Sequence, residues 1–211
     1  MESHSLAMII ECRTGLLVME AIMSQAKKYL PGALMFLGSI SGFTASFLLT
    51  VDKIALLKDS QFVPSCNISE TLNCKSVMLS EQAEVFGFPN SLIGIGAFAI
   101  FIALSVAVLA GTRFPSWFWQ IALFGTATAV IFCHWLAYKT TFVIGALCPY
   151  CMVAWSGTLL IFSSIIQELL RPRIEQNSEK SAAVAKISQV LPIFHILWTA
   201  ILIGSAFVGV N

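Results

Sequence analysis

Two pairs of cysteines carry most of the chemistry this sequence offers. Cys148-Pro149-Tyr150-Cys151 has the C-x-x-C spacing in which one thiol is activated and the second closes a reversible disulfide. Cys66 and Cys74 form another pair within "PSCNISETLNC". Exchange between two such pairs passes through a mixed disulfide and carries two electrons from one pair to the other. Two plainer readings stand beside it. One is two structural disulfides, and the other is a zinc site built from four thiolates; both carry less weight than the exchange reading. No histidine lies near either pair except His134, about one turn inside an apolar segment. Of the remaining cysteines, Cys133 reads as a small buried hydrophobe. Cys12 reads as an idle cytoplasmic thiol.

The elements that must position these residues are apolar. The chain has 211 residues, 57% hydrophobic and 11% charged, against about 25% charged in a typical soluble domain. A net charge of +1 without a basic cluster excludes a nucleic-acid binder. No Asp, Glu, Lys or Arg occurs in 29–51, 85–112, 114–138, 140–167 or 187–211. Each gap accommodates a membrane-spanning helix, which needs about 20 apolar residues. The expected spans are 31–51, 91–111, 116–138, 149–168 and 189–209. Lipid offers no partners to backbone N–H and C=O groups, so the spans must be helical. Pro31, Pro89, Pro115 and Pro149 fall near four of the starts, where a missing N–H costs little. The first apolar run is longer than that of a cleaved signal peptide. Residues 1–30 read as a cytoplasmic N-terminal segment, with "MSQAKKYL" from Met23 as an alternative start. Residues 171–188 read as a cytoplasmic linker to the fifth span.

With the N-terminus inside, eight cations (Arg13, Lys27, Lys28, Arg113, Arg171, Arg173, Lys180, Lys186) lie inside and four (Lys53, Lys58, Lys75, Lys139) outside. The positive-inside rule favours this orientation. The outer loop 52–90 is too small for a core of its own and reads as a cap over the helix mouths, with "LSEQAEVFGF" (79–88) as a short surface helix. Two crossings separate the cysteine pairs, so both face one side. The orientation makes it the extracytoplasmic side, where disulfides persist. Pro149 at a first helical position makes Cys148 a helix cap, where free N–H groups favour a thiolate. Cys151 then lies one turn deeper. One thiol can meet the loop and the other a lipid-soluble electron carrier.

"CNISETLNC" followed by "VFGFPNSLIG" and then "CPYC" at the mouth of a later span resembles the vitamin K epoxide reductase family in its bacterial form, over roughly 33–170. The resemblance implies an all-α membrane protein: a four-helix transmembrane bundle (31–170) around a quinone, capped by the cysteine loop, with a fifth helix (189–211) beyond it. It implies that Cys151 faces the quinone, that Cys148 exchanges with a loop cysteine, Cys74 by preference, and that Cys66 contacts the outside. It implies that Asn90 donates a hydrogen bond to a quinone carbonyl; helix capping after Pro89 is the plainer role for that residue. Vertebrate members carry tyrosine four residues after the second active-site cysteine, where this chain has Trp155. Its indole N–H donates but cannot accept. His134 and His195 are candidate proton carriers, although His134 also reads as an interfacial anchor with Trp135 and Tyr138.

The function implied is a bacterial inner-membrane oxidoreductase that takes electrons from a dithiol through four cysteines to menaquinone or ubiquinone, without a metal. Some bacterial members carry a fused thioredoxin-like domain after the fifth span. This sequence ends at Asn211, so the expected thiol partner is a separate extracytoplasmic thioredoxin-fold protein. The alternatives are an unrelated quinone-linked thiol oxidase, reduction of vitamin K epoxide in the vertebrate sense, and a structural membrane protein with two inert disulfides.

Overall fold

The computed structural model describes the backbone of residues 2–175 and the side chains of residues 29–171, with isolated positions outside these bounds. Among the described residues four helices are long and apolar enough to cross a membrane: Tyr29–Lys58, Asn90–Leu109, Ser116–Ile144 and Pro149–Arg171. They are the first four spans expected from hydropathy. The fifth, 189–209, and His195 with it, falls for the most part outside the described residues.

Helix α1 runs from Glu2 to Lys58 with Pro31 in its interior. Pro31 is therefore not a helix start, and residues 52–58 are the last turns of a helix rather than loop. A short helix α2 (Cys74–Met78) and a single 3-10 turn (Glu81–Glu84) follow. The expected surface helix over 79–88 is reduced to that turn, which gives way to a left-handed Gly87 (φ 79°). Helix α3 (Asn90–Leu109) starts behind Pro89 and α4 (Ser116–Lys139) behind Pro115. Helix α5 (Pro149–Glu175) has its proline at the first position, as expected.

Helix α1 packs on both α3 and α5, and α4 packs on α5. The α1–α5 approach is backbone to backbone: a Cβ on Gly157 would overlap the carbonyl of Gly38. Small residues allow such contact, which replaces hydrophobic drive in lipid. Helix α4 does not end cleanly. It widens into a π turn over Thr140–Ile144 and stops at Gly145, left-handed with φ 69°. β-Branched Thr140 and Thr141 are poor helix formers. The turn redirects the chain so that 146–148 runs beside the loop before α5 begins.

Candidate functional site

The cysteine cluster is assembled by backbone. Leu72 and Leu147 form an isolated parallel bridge. Leu147 N–H donates to Thr71 O (2.7 Å) and Asn73 N–H to Leu147 O (2.9 Å). Just beyond the bridge lie Cys74 on one side and Cys148 on the other, and each opens a helix. Cys74 is the first residue of α2, behind Asn73, whose side chain accepts from Ser76 N–H at 3.0 Å. Asn67 Oδ1 accepts the next amide, Lys75 N–H, at 3.0 Å. Cys148 caps α5: its carbonyl accepts from Met152 N–H (3.1 Å) and its sulfur from Cys151 N–H (3.4 Å).

Cys66 and Cys74 are joined in a disulfide, with Cα atoms 5.8 Å apart. Cys148 and Cys151 are free thiols. Cys148 Sγ lies 3.2 Å from Cys74 Sγ, and the sulfurs of Cys66, Cys74 and Cys148 all lie within 4.8 Å of one another. Two of those three sulfurs are spent on the disulfide, so the trio cannot act as three thiolate ligands in this state. Tyr150, between the paired cysteines, adds a further tie through its hydroxyl, 2.9 Å from Ser65 Oγ. The Cys148 thiol lies below the ordinary cysteine range. The largest cause is its side-chain hydrogen bond with Cys151, helped by the N–H groups of Cys151 and Tyr150 and opposed by burial and the Asp52 carboxylate.

Beneath this cluster a cavity of about 560 Å³, including the part open to the surroundings, lies between the helix mouths and the loop. Cys151, Asn90, Trp155 and Lys53 are on its wall, with apolar side chains such as Leu49 and Leu136. An apolar wall with a few donors suits a quinone head, which offers only carbonyl acceptors. Trp155 is buried (8% exposed). Asn90 opens α3 but makes no capping bond to that helix. Its Nδ2 donates to Gln82 O (2.7 Å) and its Oδ1 accepts from Val85 N–H (3.2 Å), which leaves one further amide hydrogen. His134 is not among the residues on the cavity wall. Its Nδ1 faces Val130 O at 2.8 Å on its own helix.

Sequence reasoning overlooked Lys53 by treating it as a loop cation. It lies on α1, buried, on the cavity wall. The available signal was its place at the end of an apolar helical run, where a charge needs a partner.

Residues 33–166 match the family model described as "Vitamin K epoxide reductase family". No curated protein matches the chain. With four membrane-length helices among the described residues, a cluster of cysteines at one end and a family match over more than half its length, the chain belongs to the vitamin K epoxide reductase family.

Proposed function

We propose that this protein oxidises the dithiol of a separate extracytoplasmic thioredoxin-fold protein and delivers the electrons to a membrane quinone, so that disulfides form outside the cytoplasm. Family membership supports the coarser reading of a membrane disulfide and quinone oxidoreductase. The contact between the Cys74 and Cys148 sulfurs supports one order of steps. A partner dithiol attacks the Cys66–Cys74 disulfide at Cys66 and leaves as a disulfide, so two electrons and two protons enter the loop pair. Cys74 thiolate attacks Cys148 of a closed Cys148–Cys151 disulfide, and Cys151 leaves as thiolate. Cys66 then attacks Cys74, restores the loop disulfide and expels Cys148 thiolate. Oxidation of the Cys148–Cys151 pair yields two electrons and two protons, which convert bound quinone to quinol. Asn90 and Trp155 supply donors for a carbonyl that gains negative charge.

The observation that carries this reading is the 3.2 Å contact between Cys74 and Cys148 sulfurs, beside a closed loop disulfide and an open C-x-x-C pair. Two inert staples need neither the contact nor the open pair. The test is to give the purified full chain a reduced dithiol with a soluble short-chain quinone, and separately with vitamin K epoxide. Quinol formed mole for mole with dithiol consumed supports the proposal. Cysteine pairs that never exchange with dithiol return the staple reading, and turnover with epoxide alone returns the vertebrate-type activity.

A further inference from the structure

One side of the cavity is the segment 78–85, anchored at its start by buried Met78 and with little buried apolar surface beyond it. Met78, Ser80, Gln82 and Ala83 contribute to the wall. The 3-10 turn Glu81–Glu84 buries none of its residues, and Leu79 and Val85 on either side of it are exposed. Hydrophobic packing therefore fixes it weakly. Two transmembrane helices reach it instead. From α3, Asn90 takes Gln82 O and Val85 N–H. From α1, Lys53 Nζ donates to Met78 O at 2.7 Å and pairs with Glu84 Oε1 at 2.8 Å.

The Lys53 side chain is 8% exposed and that of Glu84 39%. Removing an ammonium from water costs several kcal/mol unless it is paired and hydrogen-bonded. Among the described residues Lys53 meets that condition through the 78–85 segment, because Met78 O and Glu84 Oε1 both belong to it. The last turns of α1 and the roof of the cavity are thus bound to each other, with one charged group as the link.

We infer that Lys53 is a positioning residue for the quinone: with Glu84 it latches segment 78–85 over the cavity and so sets the closed shape that the substrate meets beside Cys151. The latch touches the cysteine relay at one point, the far end of α2, where Met78 lies, whereas the register of the sulfurs is set by the Leu72–Leu147 bridge and the Asn67 and Asn73 caps. The inference rests on the quinone reading of the cavity, and its test keeps the two apart.

The test uses the full chain in nanodiscs as wild type, Lys53→Met, Lys53→Arg and Glu84→Gln. Three quantities are measured: KM for a short-chain quinone, the rate at which dithiothreitol reduces the Cys66–Cys74 disulfide without quinone, and hydrogen–deuterium exchange of the 78–85 amides. Lys53→Met should raise KM about tenfold, the worth of one charge-assisted hydrogen bond. It should speed exchange over 78–85 and leave disulfide reduction within about twofold, since the bridge and caps that hold the sulfurs share no hydrogen bond with Lys53 and contacts without shared partners couple weakly. Lys53→Arg should recover most of both effects, and Glu84→Gln should fall between. Unchanged KM and exchange in Lys53→Met overturn the latch. So does an equal loss in Lys53→Arg, which would mean side-chain shape rather than charge, or an equal slowing of disulfide reduction, which would place Lys53 in the relay. If Lys53→Met does not fold, Glu84→Gln decides by the same measures. If the wild type turns over no quinone, the functional reading fails, and amide exchange alone judges the latch.

Discussion

At the end of the bundle away from the cysteines, Met35, Leu104, Val108, Trp119, Ile161 and Ile165 are buried against one another. Phe114 stacks on Phe118 at 4.6 Å and meets Trp119 edge-on at 5.8 Å. Hydroxyls there turn back on their own helices, as Ser39 does to Met35 O and Ser164 to Leu160 O. At the cysteine end hydrogen bonds also join segments far apart in sequence: Lys53 to Met78, Ser65 to Tyr150, Asn73 to Leu147, Thr50 to Ser91. Sulfurs, a buried lysine and a cavity occupy the space that side-chain packing fills at the other end. One end holds the helices together by shape. The other holds reactive groups in register by directional bonds, because packing alone tolerates shifts that a sulfur-to-sulfur contact does not.

Substitutions should divide along the same line. Cys151→Ala should abolish quinone reduction while leaving the bundle folded, because it removes the thiol on the cavity wall. Measurable quinol formation in this variant would take Cys151 out of the relay. Cys74→Ala should stall the cycle with the partner held covalently on Cys66, the sulfur it engages, since Cys74 is no longer there to close the loop pair and release it. Non-reducing gels should show that complex with Cys74→Ala and not with Cys66→Ala; the reverse pattern exchanges the two roles.

Asn90→Ala should lower kcat and raise KM for quinone. Loss of one oxyanion-hole donor costs about 2.7–4 kcal/mol, and a quinone carbonyl demands the lower end or less. Asn90 also holds Gln82 O and Val85 N–H, so the melting temperature should fall as well. Asn90→Asp keeps an acceptor for Val85 but loses the donor. A kinetic defect in alanine that aspartate fully repairs would leave Asn90 as a loop tie only.

A smaller effect concerns the pH dependence of Cys148. Its thiol is held low chiefly by Cys151. Thiolate, the reactive form, appears as pH rises through the pKa, so a lowered pKa makes alkylation reach half its maximum below the ordinary cysteine value of about 8.5. Cys151→Ala removes the largest lowering cause, and the midpoint should move up. Mass-spectrometric alkylation profiles with the loop disulfide intact would read this directly, and equal midpoints would remove Cys151 as the cause. The smallest effect on turnover belongs to the packed end. Ile165→Ala should cost stability, about 2 kcal/mol or more for a fully buried aliphatic, with kcat for quinone unchanged once the protein is folded. A selective loss of kcat there would dissolve the distinction between the two ends.

The sequence by itself determined the features that depend on local composition or on counting. Five charge-free runs of membrane length specify helices because lipid leaves the backbone no other partner, and the four that fall in the described residues are helices of that length. Two crossings between 66–74 and 148–151 put all four cysteines at one end, whichever way the chain inserts. Pro149 made Cys148 a helix cap, since proline is best accommodated in the first turn. The tertiary structure decided what depends on bonds between distant segments. The residues alone left open which loop cysteine meets Cys148, the resemblance to a family favoured Cys74, and the Leu72–Leu147 bridge places Cys74 there. Hydropathy ended the first span near residue 51, whereas α1 continues to Lys58, because Lys53 finds Met78 O and Glu84 across the cavity. The same long-range bonds, with Asn90, hold 81–84 in a 3-10 turn where local pattern suggested a longer helix. Hydropathy reports the solvent each segment prefers, and only the folded chain reports which groups satisfy one another.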